Sequence, residues 1–215
     1  MERLLCELGF SNVSFPNTAH ADDLDIGSLL RTWAVSMEGI RNIIDKHGVG
    51  ALRPYIGAAV DRIRTIGRAA ADGYPIFAVL EDDLVAGACP AETNRRIAAA
   101  LLELPPDADV MYLEACAENC WKLQYSAHRP SLARAASPFC TAGMIFTLRG
   151  AQRITKLCTP VSAGIDDMLS ELVSRRRVQA YLALPGLLFQ DCFWGSDANR
   201  ERNTGLQVLV ASQGC

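Results

Sequence analysis

A chain of 215 residues, half of them hydrophobic and 21% charged, is long enough to bury one large core and has the balance of an ordinary globular enzyme. A formal net charge of −3 gives no global field that would gather nucleic acid or an anionic membrane, and no stretch reaches the roughly 20 apolar residues that span a bilayer. The first ten residues carry Glu2 and Glu7 and read as too short and too charged for a secretory signal, although a preceding segment would change the compartment.

In chain order, residues 1–9 predict a short amphipathic helix, with Leu4, Leu5 and Leu8 on one side and Gly9 as its stop. Residues 12–15 suit a short strand. Ser28 suits the N-cap of a helix with Leu29, Leu30, Trp33, Met37, Ile40 and Ile44 as its apolar positions, closed by His47 and Gly48. His47 reads as a cap rather than a ligand. A second helix begins at Pro54, buries Ile56, Val60, Ile63 and Ile66, and stops at Gly73.

The stretch Tyr74-Pro75-Ile76-Phe77-Ala78-Val79-Leu80-Glu81-Asp82-Asp83-Leu84 follows directly. Its apolar run predicts a strand buried on both faces, as in a sheet covered by helices. The run ends in the acids Glu81, Asp82 and Asp83. Their mutual repulsion costs free energy unless a cation relieves it, and the carboxyl edge of an α/β sheet is where ligands bind. A divalent ion holding a substrate's phosphates accounts for both features; a solvated acidic turn is the plain alternative.

Pro90 opens a helix carrying Ile97, Leu101 and Leu102, and residues 109–114 read as a strand that again ends in an acid. Residues 116–138 form a long polar loop with Trp121, Tyr125 and His128 interleaved. A strand over 144–148 leads into a short helix over 151–157. The next helix carries Asp166 and Asp167 at its head and Arg175, Arg176 and Arg177 at its end, a distribution that the helix dipole alone explains. Late strands occupy 178–182 and 187–189, and a polar tail over 190–203 closes over something. Neither repeat nor linker divides residues 1–215, so one domain is expected. Eight cysteines permit disulfides, with Cys116–Cys120 or Cys140–Cys192 as candidate pairs, while most of the others suit buried thiols. No close second pair completes a zinc site beside Cys116 and Cys120.

The succession Glu81-Asp82-Asp83, Ala142-Gly143-Met144-Ile145-Phe146 with Gly150-Ala151, Ile165-Asp166, then Pro185, Gln190 and Ser196-Asp197 resembles glycosyltransferase family 25 over roughly residues 50–200. That family includes lipooligosaccharide and procollagen galactosyltransferases. The resemblance implies an α/β fold of the GT-A type, with a mixed, mostly parallel sheet covered by helices. Relative to the family the chain is N-terminally truncated, starting after the usual first strand and its nucleotide-gripping loop. It further implies transfer of a hexose, usually galactose, from a UDP-sugar to a glycan or hydroxylated protein acceptor with inversion.

On that pattern Glu81 and Asp83 hold manganese or magnesium. Glu81, Asp82, Gln190, Ser196 and Asp197 contact the donor. Asp166 is the catalytic base, with Asp167 as second choice. Near Gly57 the family has a Ser-His pair where this chain reads Val60-Asp61-Arg62-Ile63. The departures keep a catalytically silent glycosyltransferase-like binding protein as an alternative. A metal-dependent phosphohydrolase is a weaker one, since His20, His47 and His128 are not clustered in sequence.

Overall fold

The protein is described by a computed structural model over residues 2–10, 13–14, 23–114 and 118–190. Its centre is a six-stranded sheet in the order β1-β6-β3-β7-β5-β4. The strands are β1 (Ile76–Leu80), β3 (Val110–Tyr112), β4 (Gln124–Ser126), β5 (Arg129–Arg134), β6 (Gly143–Thr147) and β7 (Ala180–Ala183). A separate pair, β2 (Leu84–Ala86) and β8 (Leu188–Gln190), runs antiparallel beside it. The helices are α1 (Glu2–Glu7), α2 (Ile26–Arg31), α3 (Met37–His47), α4 (Leu52–Ala71), α5 (Pro90–Glu103), α6 (Leu148–Leu157) and α7 (Ile165–Ser174).

Side chains alternate across the sheet as the pleat requires. Val110 and Tyr112, Met144 and Phe146, and Ala180 and Leu182 face one core, shared with Ile43 of α3, the buried stripe of α4, Ile154 of α6 and Leu169 of α7. Met111, Ile145, Tyr181 and Ala183 face the other, shared with Leu8, Ile97 and Ala100. The result is an α/β/α arrangement with a mixed sheet, compatible with a Rossmann-like fold. Gly150 sets how closely α6 approaches: a Cβ there would lie 1.9 Å from the Asp109 carbonyl oxygen.

Several expectations are corrected. The sheet is not mostly parallel. Among its pairings only β3 with β7 is parallel, and β6 is antiparallel to both its neighbours, β1 and β3. β1 is an edge strand, not one buried on both faces; Ile76 is 49% exposed and only Val79 is fully buried. The helix expected from Ser28 onward is two helices. Asp25 caps α2, Ser36 caps α3, and between them Val35 bridges to Val161. Residues 13–14 lie in no strand, the rest of that expected strand being outside the described residues. Within the expected loop 116–138, β4 and β5 form an antiparallel hairpin that extends the sheet, with Trp121 almost fully exposed. Leu102 points into solvent. Cys120 and Cys140 are each disulfide-bonded, while Cys6, Cys89 and Cys158 are free thiols. Cys116 and Cys192, named above as their candidate partners, lie outside the described residues.

Candidate functional site

Because β6 runs antiparallel between β1 and β3, those two strands point the same way and their carboxyl ends flank the start of β6. Glu81 N donates to the Ala142 carbonyl at 2.8 Å, and Leu113 N donates to that of Gly143 at 2.9 Å. Glu81 and Glu114 therefore stand on either side of Thr141, whose hydroxyl hydrogen-bonds Asp166 at the head of α7. The tight turn after Glu81 leads into β2. Its partner β8 is tied to β3 by Leu187 N and Leu188 N donating to the Leu113 carbonyl. One residue of β8 then joins two acids: Gln190 Nε2 donates to Asp83 Oδ2 at 2.8 Å, and Gln190 N donates to Glu114 Oε1 at 3.2 Å.

From the other direction α4 supplies Arg62, nearly buried, which forms an ion pair with Glu81. Burial raises the Glu81 carboxyl above its ordinary value; Arg62 opposes this, and Asp83, Asp166 and Asp82 add to it. Asp166 is raised by burial, against the pull of Thr141 and Arg62 and with a contribution from Asp167. Glu114, only 7% exposed, is pushed to about 7 by burial, with Glu81 and Asp83 adding repulsion against the hydrogen bond from Gln190. These effects place Asp83, Glu114 and Asp166 each within electrostatic reach of Glu81.

Polar atoms left without partners concentrate at the same place. Arg62 Nη1, Asp83 Oδ1, Tyr112 Oη, Glu114 Oε2 and Asp166 Oδ1 are all buried and have no hydrogen-bond partner among the described residues. Asp166 also acts on the Tyr112 hydroxyl, which burial holds far above its ordinary value. Buried polar atoms normally find partners, so such a group marks where something else supplies them.

The structure thus brings together Glu81, Asp83, Asp166 and Gln190. It does not bring in Asp82, which is exposed in the turn, or Asp167, whose carboxylate pairs with Lys46 at 2.6 Å. Asp167 is accordingly a surface partner of α3, not a free base. Ser196 and Asp197 lie outside the described residues. Sequence reasoning missed Arg62, Tyr112, Glu114 and Thr141 as site residues. Glu114 carried a signal, an acid ending an apolar strand as Glu81 does; Arg62 carried none.

Two open depressions lie elsewhere. One of about 390 Å³ is lined by Lys122, Arg134 and Arg176 beyond the far end of α7, and the other lies beside Trp33; neither contains the acids. Among the described residues no three His, Cys, Asp or Glu side chains are grouped to hold a metal ion by themselves. A magnesium-type ion does not need such a cage, because one or two carboxylates with substrate phosphates commonly suffice. The residues that could hold such an ion are Asp83 and Glu114, which are joined through Gln190 and each have an oxygen without a partner among the described residues. Glu81, also expected as a ligand, has its Oε1 paired with Arg62. No helix among the described residues is long and apolar enough to cross a membrane. The chain matches no protein-family model and no curated protein.

Proposed function

We propose that the protein is a glycosyltransferase of the family 25 type, moving a hexose from a UDP-sugar to a hydroxyl of a glycan or protein acceptor with inversion. The observation that carries the reading is the group of five unpartnered buried polar atoms near the carboxyl ends of β1 and β3: three carboxylate oxygens, one guanidinium nitrogen and the Tyr112 hydroxyl. Anionic oxygens suit a hydroxylic substrate, and the spare guanidinium N–H of Arg62 suits a phosphate or sugar oxygen.

In the reaction the acceptor oxygen attacks the anomeric carbon, the bond from that carbon to the diphosphate oxygen breaks with its electron pair leaving on UDP, and the acceptor proton passes to Asp166. Thr141 fixes the orientation of that carboxylate, and burial raises its proton affinity. Arg62 opposes the rise of Asp166 and holds Glu81 in place. Gln190 positions Asp83 and Glu114. A manganese or magnesium ion held by those two carboxylates would neutralise charge on the departing diphosphate.

Titration calorimetry with UDP in the presence and absence of manganese, paired with a transfer assay using UDP-galactose, tests the reading. The expected result is metal-dependent UDP binding that is lost in Asp83→Ala. In Asp166→Asn binding should be retained while transfer is lost. A well-folded protein that binds no UDP with either metal, or whose binding ignores Asp83→Ala, would overturn it.

A further inference from the structure

A concentration of positive charge lies at the opposite end of the sheet from the acids. β3 and β7 run parallel with Val110 beside Ala180, so the depression bordered by Ala180 stands at the end of β3 away from Glu114. Arg176, on its wall, follows Asp166 along α7 by about 15 Å of helix rise. Three cations converge on this depression from separate parts of the chain: Lys122 from the turn before β4, Arg134 from the end of β5 and Arg176 from just past α7. The other polar side chains on the wall are those of Gln124, Ser137 and Ser174, and no carboxylate lines it. Every polar side chain there can donate a hydrogen bond.

The wall is tied in place by bonds that leave its charge unanswered. Gln124 lies opposite Arg134 in the β4–β5 register. Gln179 accepts a hydrogen bond from Arg134 Nη2, which orients the guanidinium without neutralising it. The Glu118 carboxylate joins the two loops of the wall, accepting from Asn119 N at 2.6 Å, Ala136 N at 3.0 Å and Ser137 N at 2.8 Å. Its oxygens are taken up by backbone donors and not by the cations.

The helix dipole accounts for basic residues at the end of α7, and Arg175 meets Glu171 one turn back at 2.8 Å. The left-handed backbone of Arg176, with φ of 57°, is the ordinary geometry of a Schellman cap. Neither accounts for Lys122 and Arg134, which the hairpin brings to the same place. Among the described residues the side chains of Lys122 and Arg176 have no carboxylate or hydrogen-bond partner. In a chain of net charge −3, a concavity lined by one sign of charge is a local reversal that gathers anions.

We infer that this depression binds a small organic phosphate, with the two guanidiniums and the Lys122 ammonium on the phosphate oxygens and the organic part leaving through the open side. Guanidinium forks match phosphate geometry, and a phosphate monoester carries close to two negative charges at neutral pH. The volume of about 390 Å³ lies within the range of small-molecule sites. The site is separate from the acids and does not rest on the transferase reading.

The test titrates the full chain with glycerol 1-phosphate and with phenyl phosphate at fixed ionic strength, followed by amide NMR shifts. EDTA is present throughout, so that metal-dependent binding at the acids does not contribute. Lys122→Gln changes an exposed side chain and Arg176→Gly relieves a left-handed backbone, so Tm should stay level or rise in both. Saturable binding of at least one phosphate is expected, weakened about tenfold or more in each variant. Arg175→Gln, which removes a neighbouring charge that does not line the depression, should leave it unchanged. The proposal is overturned if neither phosphate binds the native protein, or if Arg175→Gln weakens binding as much as Arg176→Gly does. It is equally overturned if Lys122 and Arg176 prove necessary for binding a single-stranded oligonucleotide or phosphatidylserine vesicles while neither small phosphate binds.

Discussion

Glu114→Gln separates the cost of the acidic site from the stability of the fold around it. The Glu114 carboxyl is raised from 4.5 to about 7, chiefly by burial. A carboxyl whose folded value lies above its unfolded value holds its proton more tightly in the native state. Its contribution is therefore unpenalised below about 4.5, is lost as pH climbs from about 4.5 to about 7, and stays lost above. The difference between the two values corresponds to at most about 3 kcal/mol. Glutamine keeps the shape and an oxygen for the Gln190 N–H but carries no charge to desolvate. At pH 8 the variant should be more stable by up to that amount, a Tm rise of about 6–12 °C for a domain of this size, and at pH 4 it should match the parent. Urea unfolding of both proteins across pH 4–8 measures the difference directly. A variant destabilised equally at pH 4 and pH 8, or one whose stability difference does not change with pH, refutes the argument that Glu114 is buried at a cost.

Arg62→Gln removes the cation that lowers both Glu81 and Asp166, so both carboxyls should rise further and be ionised only at higher pH. The acid limb of any transfer profile should move to higher pH, and stability should fall more at pH 8 than at pH 5; a pH profile of rate together with denaturation at the two pH values checks this. Gly150→Ala forces a methyl against the Asp109 carbonyl and should destabilise by about 1–3 kcal/mol or more, seen as a lowered urea midpoint with an unchanged slope. Iodoacetamide on the native protein should label Cys6 and Cys89, which are exposed, and spare Cys158, whose thiol burial pushes up to about 12; peptide mapping before and after unfolding distinguishes them.

What was legible in the chain is what neighbouring residues decide. The apolar run ending before Glu81 is a strand because it is continuously apolar and three of its five residues, Ile76, Phe77 and Val79, are β-branched or aromatic, and the acids after it stand at its carboxyl end. Its position at the sheet edge was not legible, since an edge is defined by which other strands pair with it, and antiparallel β6 lies more than 60 residues further along. The single long helix expected from Ser28 follows from unbroken apolar spacing; the stop at Trp33 is hidden because no glycine marks it. The site was half legible for the same reason. Asp83 and Gln190 stand 107 residues apart, Glu114 and Gln190 76, and Arg62 meets Glu81 only because α4 folds back over β1. Nothing in the local sequence of α4 distinguishes Arg62 from its other arginines.

The two ends of β3 show why the acids at one end are read as functional. Asp109 is fully buried, yet its carboxylate accepts from Arg149 Nε at 3.2 Å and from Gln179 N at 2.8 Å, with Arg153 at 3.7 Å. Its backbone N–H and carbonyl are paired as well. Every valence of that acid is spent on holding β3, β7 and α6 together, which makes it structural. Glu114, at the opposite end, keeps one oxygen buried and unpaired beside four other atoms in the same condition. At about 1–3 kcal/mol for each unsatisfied group, the five together amount to about 5–15 kcal/mol, as large as the whole net stability of a typical domain. A fold that can satisfy Asp109 completely within the same strand has no packing reason to leave Glu114, Asp166 and Arg62 wanting. On the proposed reading, those partners come from a hydroxyl-bearing or phosphate-bearing substrate that the site opens to admit.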